Sequence, residues 1–370
     1  MHNDERGIML KNVLVVGTGT IGEPLIGLLS DFREELGIRV FFHKRTPILE
    51  EKAKVNSLVN RGAKLVVDKD KQGAFENFGH KAATTSGLAF DLADVIIDCT
   101  PAGNDNKENI YEALNNQEYC ATRNKKKTFI AQGSEKGFGL PYAFGINDSA
   151  LMKSQDSYVQ VVSCNTHNIC SLVKTLSAGD VENNFVSGDF TCIRRANDIS
   201  QNGSFIASPQ VGGHGDNIFG THHAKDAHDL FDTLGFKPNL FSSALKINSQ
   251  YMHLIRFSIA LKGYATEEDI LNLLKENKHI ALTHKTLTNK VFSFGRDHGY
   301  YGRIFNHTVI AQDSLNVSRN HGNTVVTGFC FTPQDGNSLL SSVAATLHGV
   351  HGEEYLSKMK VFDQFLFNEI

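Results

Sequence analysis

Apolar residues follow two rhythms along the chain. VLVVG (13–17) is a short continuous apolar run ending in glycine, which predicts a buried strand. Behind it Ile21, Leu25, Leu28, Leu29 and Phe32 recur at helical spacing, so a helix follows the glycine turn. Pro24 fits there because it falls in the first turn, where no intrahelical donor is needed. IRVFF (38–42) predicts a second strand, and another helix starts near Pro47 and stops at Gly62. DVIIDC (94–99), TFIA (128–131) and YVQVV (158–162) predict further strands. Strands alternating with helices imply a parallel, doubly wound Rossmann sheet.

From about residue 181 the rhythm changes. FTCIRR, YMHLIRFSIAL and TVVTGFCF read as longer strands of a mixed or antiparallel sheet. Leu339, Leu340, Val343, Leu347 and Val350 then share one helical face. The expected fold class is α/β: a Rossmann domain over 1–162, joined by the helical segment 337–370, and an α+β domain over 163–336. The polar stretch 115–127 predicts a surface loop.

Candidate chemistry sits where these elements meet. Gly17, Gly19 and Gly22 form G-x-G-x-x-G between the first strand and its helix, the context a dinucleotide turn requires. Gly17 permits the tight turn, Gly19 admits a pyrophosphate and Gly22 allows close packing. After the second strand comes His43-Lys44-Arg45-Thr46-Pro47, with no acid before Glu50. Cations and a hydroxyl there suit a 2′-phosphate, so NADP is expected over NAD, with Lys44 and Arg45 as its readers.

Cys164 lies in VVSCNTHNIC (161–170), where an apolar strand ends and Ile169, Leu172, Val173 and Leu176 begin a helical stripe. Ser163, Asn165 and Thr166 are candidate caps. A helix N-terminus lowers a thiol's pKa, so a reactive thiolate is expected. The rival reading is an inert core thiol, which is expected for Cys170.

Composition narrows the field. Lys plus Arg is 37 and Asp plus Glu is 40 in 370 residues, a net charge of −3 without the basic excess of a nucleic-acid partner. No apolar run approaches the ~20 residues of a membrane helix, and the acidic N-terminus is unlike a secretory signal, so a reducing cytoplasm is expected. The six cysteines form no C-x-x-C, which argues against disulfides and against a metal site.

SCNT (163–166) in this context resembles the nucleophile segment of phosphorylating glyceraldehyde-3-phosphate dehydrogenases, the archaeal-type class II enzymes above all. VVGTGTIGEPL, VIIDCTPAG (95–103), QGSEK (132–136), IRRAND (193–198), GGHGDN (212–217), YMH (251–253) and TPQD (332–335) extend the resemblance along the chain. It implies Cys164 as nucleophile and His253 as base. It implies cofactor contacts at Thr20, Ile21, Gly133, Ser134, Arg195 and Gln334, and substrate contacts at Ser163, Asn165, Gly213 and His214. Arg194 joins these as a cation for phosphate groups. His167 is a rival base close to the thiol. Ser134, Gly213-His214 and Ile255 depart from the family's usual residues. The implied partners are the aldehyde substrate and inorganic phosphate, and the implied assembly is a homotetramer. Aspartate-semialdehyde dehydrogenase, N-acetylglutamyl-phosphate reductase, a lysine-dependent oxidoreductase and a non-catalytic cofactor-binding regulator are the competing readings.

Overall fold

The computed structural model describes residues 10–116, 126–133, 135–197, 203, 205–333 and 335–370. Most of the loop expected over 115–127 lies outside these residues, as do Ser134 and Gln334. The chain divides into two compact units. One comprises Met1–Leu140, Leu151–Val161 and Ser341–Val361; the other comprises Pro141–Ala150, Val162–Leu340 and Phe362–Ile370.

The first unit is built on the continuous apolar runs. β1 (Lys11–Val16) pairs in parallel with β2 (Ile38–His43) on one side and β5 (Val95–Asp98) on the other. Beyond β2 lie β3 (Lys64–Val67) and β4 (Thr84–Thr85); beyond β5 lie β6 (Thr128–Ala131) and β8 (Tyr158–Val161), all parallel. With β7 (Leu140–Tyr142) the order is β4-β3-β2-β1-β5-β6-β8-β7. Val13–Val16, Val95–Asp98 and Tyr158–Val161 are buried throughout, so both sheet faces are covered and apolar runs replace alternation. Strand order reverses at β1, and such a switch point opens a crevice at the strands' carboxyl ends. The helix after the glycine turn is Gly22–Asp31. The next begins later than expected: Ile48 is extended, a single 3-10 turn covers Leu49–Glu51, and the α-helix is Lys52–Asn60.

The second unit holds a mixed sheet. β9 (Phe185–Arg194) runs parallel to β11 (Leu240–Lys246) and antiparallel to β12 (His253–Lys262). β12 pairs antiparallel along its length with β16 (Asn323–Thr332). β10 (Gln210–Val211), β13 (Ile280–Thr283), β14 (Thr308–Ala311) and β15 (Asn316–Asn320) complete it. Helix Cys164–Leu176 buries Ile169, Leu172, Val173 and Leu176 in one core with Phe190 and Cys192 of β9 and Ile255, Phe257 and Ile259 of β12. Cys170, Cys192 and Cys330 are buried free thiols. Among the described residues no helix is long and apolar enough to cross a membrane.

Three imidazoles are buried together, His167 on helix Cys164–Leu176 and His279 and His307 beside it. The His307 ring stacks on His279 at 4.6 Å between centroids and lies 5.6 Å from His167. Both ring nitrogens of His307 are buried without a hydrogen-bond partner. Burial pushes His167 and His279 down to about 4, and His307 well below its ordinary value; Lys278 and Lys174 reinforce the shift at His279, and the neighbouring His279, His167 and Lys174 that at His307. The folded protein therefore keeps these rings neutral, whereas the unfolded chain protonates them near pH 6.5. Between about pH 6.5 and 4 the unfolded state binds more protons, so stability falls as pH falls, by up to about 1.4 kcal/mol per ring per pH unit. Urea midpoints measured from pH 7 to 4.5 should drop steeply. His279→Gln should flatten that slope, and an unchanged slope would show that these rings do not drive acid unfolding.

Candidate active site

Cys164 is the first residue of helix Cys164–Leu176. Ser163 before it is extended, and its Oγ accepts the Thr166 N–H at 3.4 Å, so the serine caps the helix. Two asparagines tie the first turns of this helix to other parts of the second unit. Asn168, one turn on, donates through Nδ2 to Thr332 Oγ1 at 2.8 Å and accepts from the Cys330 thiol at 3.3 Å. Asn337 Nδ2 donates to the Cys164 carbonyl at 3.1 Å and to the His307 carbonyl at 3.2 Å. Asn165 is buried, and its Oδ1 has no hydrogen-bond partner.

His253 opens β12 opposite Thr332 in the register of β16. Its strand neighbour is therefore the threonine that holds Asn168, one helical turn below Cys164. His253 Nδ1 accepts the Arg195 backbone N–H at 3.1 Å. A neutral imidazole accepting at Nδ1 carries its proton on Nε2, so the outward nitrogen is a donor. Arg194 ends β9 and Arg195 follows, buried. The charges of both arginines act on both Cys164 and His253. The pairing places thiol, imidazole and guanidinium groups in one neighbourhood.

Electrostatics here correct one expectation. Burial pushes the Cys164 thiol up to about 11, although Arg195 lowers it; Asp335 raises it further. A helix N-terminus does favour thiolate, but loss of hydration is the larger effect. Burial, Arg195 and Arg194 in that order push His253 down to about 3. At neutral pH the pair is thus thiol plus neutral imidazole, with no ion pair to maintain.

Other expected residues lie apart from this pair. His167 is fully buried, and its Nδ1 donates to the Ser163 carbonyl at 2.9 Å while its ring faces His307. Gly213 and His214 are exposed; His214 Nε2 meets Ser243 Oγ at 3.0 Å and its ring meets Phe241 edge-on. Among the described residues no hydrogen bond joins Gly213 or His214 to Cys164 or His253.

The glycine turn of the first unit has the shape a dinucleotide requires. Gly17 has φ +94°, and a Cβ on Gly22 would stand 2.2 Å from the Gly17 carbonyl oxygen. A Cβ on Gly19 would meet nothing within 4 Å, leaving that face open to a ligand. Thr20 and Ile21 lead into the helix, and Ile21 at its N-cap makes no side-chain cap bond. These features fit a cofactor pyrophosphate at the helix N-terminus. The Gln132–Gly133 turn is tied down by Gln132 Nε2 donating to Ser342 Oγ at 3.0 Å. Arg45 is exposed, but Lys44 is buried and ion-paired with Glu51. Among the described residues no cluster of His, Cys, Asp and Glu could hold a metal.

Sequence reasoning missed Asn337, Asp335, Glu51 and Asp98. Asp98 ends β5 wholly buried, accepting from Thr100 N, Thr100 Oγ1, Asn106 Nδ2 and Tyr111 OH. The polar residue closing the apolar run VIID was its only signal. Asp335 closes the motif TPQD but was given no role there, and Asn337 gave no signal because its partners are distant in sequence.

No protein-family model matches the chain. It is similar to glyceraldehyde-3-phosphate dehydrogenase of Sulfolobus acidocaldarius, 30% identical over 327 residues that cover 83% of this chain and 84% of that protein. The Methanocaldococcus jannaschii protein of the same name is 26% identical over 329 residues, 84% of this chain and 87% of that one. The Methanobacterium formicicum protein is 26% identical over 283 residues, 74% of each.

Asn337 offers a direct test of how the thiol turn is held. Asn337→Ala leaves two buried carbonyls short of a donor, and should lower stability by about 1–3 kcal/mol in urea unfolding. Asn337→Asp keeps the shape but loses the amide donor and should be no better. Wild-type stability in both would show that these bonds do not hold the turn.

Proposed function

The chain belongs to the glyceraldehyde-3-phosphate dehydrogenase family, and on that premise we propose that it catalyses the phosphorylating oxidation of D-glyceraldehyde 3-phosphate to 1,3-bisphosphoglycerate and the reverse, a step of glycolysis and gluconeogenesis. The observation that carries this reading is the thiol on a helix N-terminus whose first turn is bonded to the strand neighbour of an imidazole and shares its two arginines. Cys164 Sγ forms a bond to the aldehyde carbon, and the thiol proton ends on the former carbonyl oxygen, giving a thiohemiacetal. A bound nicotinamide supplies the hydride acceptor. Loss of hydride from carbon to that acceptor, and of the hydroxyl proton to a base, the role the family resemblance gives His253, leaves a Cys164 thioester. Inorganic phosphate then attacks the acyl carbon, and Sγ departs as the thiolate. Arg194 and Arg195 are the cations for the anionic phosphates, and the unpartnered Asn165 Oδ1 is free to accept a substrate hydroxyl. Ser163 holds the thiol turn in shape.

His253 enters as an Nε2–H donor to the substrate oxygen. For it to act as base, as the family resemblance implies, the ring must give up the Arg195 amide bond and present a bare Nε2. NADP over NAD, Lys44 and Arg45 as readers of the 2′-phosphate, and cofactor contacts at Ser134 and Gln334 belong to the same proposal. So do substrate contacts at Gly213 and His214, a homotetramer, a cytoplasmic setting, and the division into 1–162 with 337–370 and 163–336.

Two experiments test this. Reduced-cofactor formation from glyceraldehyde 3-phosphate should depend on inorganic phosphate and fall by several orders of magnitude in Cys164→Ser, with cofactor binding retained. Substantial turnover in that variant would sink the thiol mechanism. Single-turnover hydride transfer separates the roles of His253. If it is a base, His253→Asn and His253→Gln should both lose about 10²–10⁴-fold. The Nε2–H geometry instead predicts that Gln, whose amide can reach the Nε2 position, retains clearly more activity than Asn; equal losses would reject the donor role.

A further inference from the structure

Lys44 is more constrained than a cation waiting for a phosphate. Its ammonium is buried, bonded to Glu51 Oε2 and 3.5 Å from Thr18 Oγ1. Lys54 donates to the other oxygen, Glu51 Oε1, at 2.8 Å, to the Thr18 carbonyl at 3.3 Å, and pairs with Glu23 at 3.4 Å. Thr18 lies within the glycine turn, so two ammonium groups are bonded directly to that turn, and the Glu51 carboxylate is bonded to both of them. Two cations face two carboxylates, and the cluster is neutral. Burial pushes the Glu51 carboxyl upward, but Lys44 and Lys54 outweigh this and hold it below the usual range, so it stays ionised at neutral pH.

We propose that Glu51 is a specificity-determining residue for the cofactor: it occupies Lys44 and Lys54 beside the glycine turn and so limits discrimination in favour of a 2′-phosphate. This rests on the reading that Lys44 lies at the adenosine end of the cofactor site. With a free 2′-hydroxyl the neutral cluster stays as it is, and a carboxylate nearby carries no penalty. A 2′-phosphate must draw Lys44 away from Glu51 and accept an anion close by. Lys54 makes the exchange feasible, because it keeps Glu51 partnered when Lys44 leaves. Arg45 is exposed and free of this cluster; its charge is felt instead by Asp68 and His43.

The experiment is equilibrium binding of adenosine 2′,5′-bisphosphate and of AMP to the full chain, with wild type, Glu51→Gln, Glu51→Asp and Lys44→Ala. Glu51→Gln should tighten the bisphosphate roughly tenfold and leave AMP within about twofold, the size of effect expected from removing one nearby like charge in a partly screened site. Glu51→Asp keeps the charge and should discriminate as wild type does, which guards against a merely structural change. Lys44→Ala should weaken the bisphosphate selectively. An unchanged bisphosphate affinity in Glu51→Gln, with Lys44→Ala still selective, overturns the role of Glu51 and leaves the Lys44 reading intact. If neither variant discriminates, the Lys44 reading itself fails and the proposal with it. Selective loss of AMP in Glu51→Gln overturns it differently, by showing that the carboxylate holds the ribose hydroxyls.

Discussion

Loss of hydration around Cys164 and His253 is the constraint that the rest of the second unit depends on. Burial is the largest cause of both shifts, the thiol pushed up to about 11 and the imidazole down to about 3. Both shifts favour the neutral forms, thiol and imidazole. Charge must then be created during reaction, where the guanidinium groups of buried Arg195 and half-buried Arg194 meet it. The same arginines explain the direction of each secondary shift: they favour thiolate and disfavour imidazolium. Asp335, held at φ +58° and 3.6 Å from Arg303, opposes them at the thiol.

Such a site requires rigid backbone on both sides, and the sheet supplies it. His253 faces Thr332 because β12 and β16 pair in one register over ten residues. A slip of one residue would send His253 to the opposite face and expose Ile255, Phe257 and Ile259, so the apolar core fixes the position of the imidazole. Asn168 and Asn337 connect that sheet and the Gly336–His351 helix to the thiol's first turn. In the first unit the glycine turn plays the equivalent part: Gly22 has no room for a side chain, whereas Gly19 faces open space.

Much of this is written in local sequence. The runs VLVVG, TFIA and YVQVV became β1, β6 and β8, and the stripe Ile169, Leu172, Val173, Leu176 became the buried face behind the thiol. These depend on neighbours within one or two turns, so periodicity suffices. The expectation of a lowered thiol pKa failed because the dipole of a helix can be read locally but its burial cannot. The ion pair of Lys44 with Glu51 was not legible, because that acid ends a 3-10 turn which periodicity did not predict. Asn337 lies 173 positions from Cys164, and only the folded chain brings them together.

The central claim is that the aldehyde carbon becomes bonded to Cys164 on the way to product. The most direct measurement is rapid acid quench of the full chain mixed with glyceraldehyde 3-phosphate and oxidised cofactor in the absence of inorganic phosphate, followed by peptide mass analysis. The account predicts a 3-phosphoglyceroyl group on the peptide carrying Cys164, accumulating with the first equivalent of reduced cofactor and discharged when phosphate is added. Reduced cofactor formed without any acyl group on that peptide, or with the group on another cysteine, would contradict it.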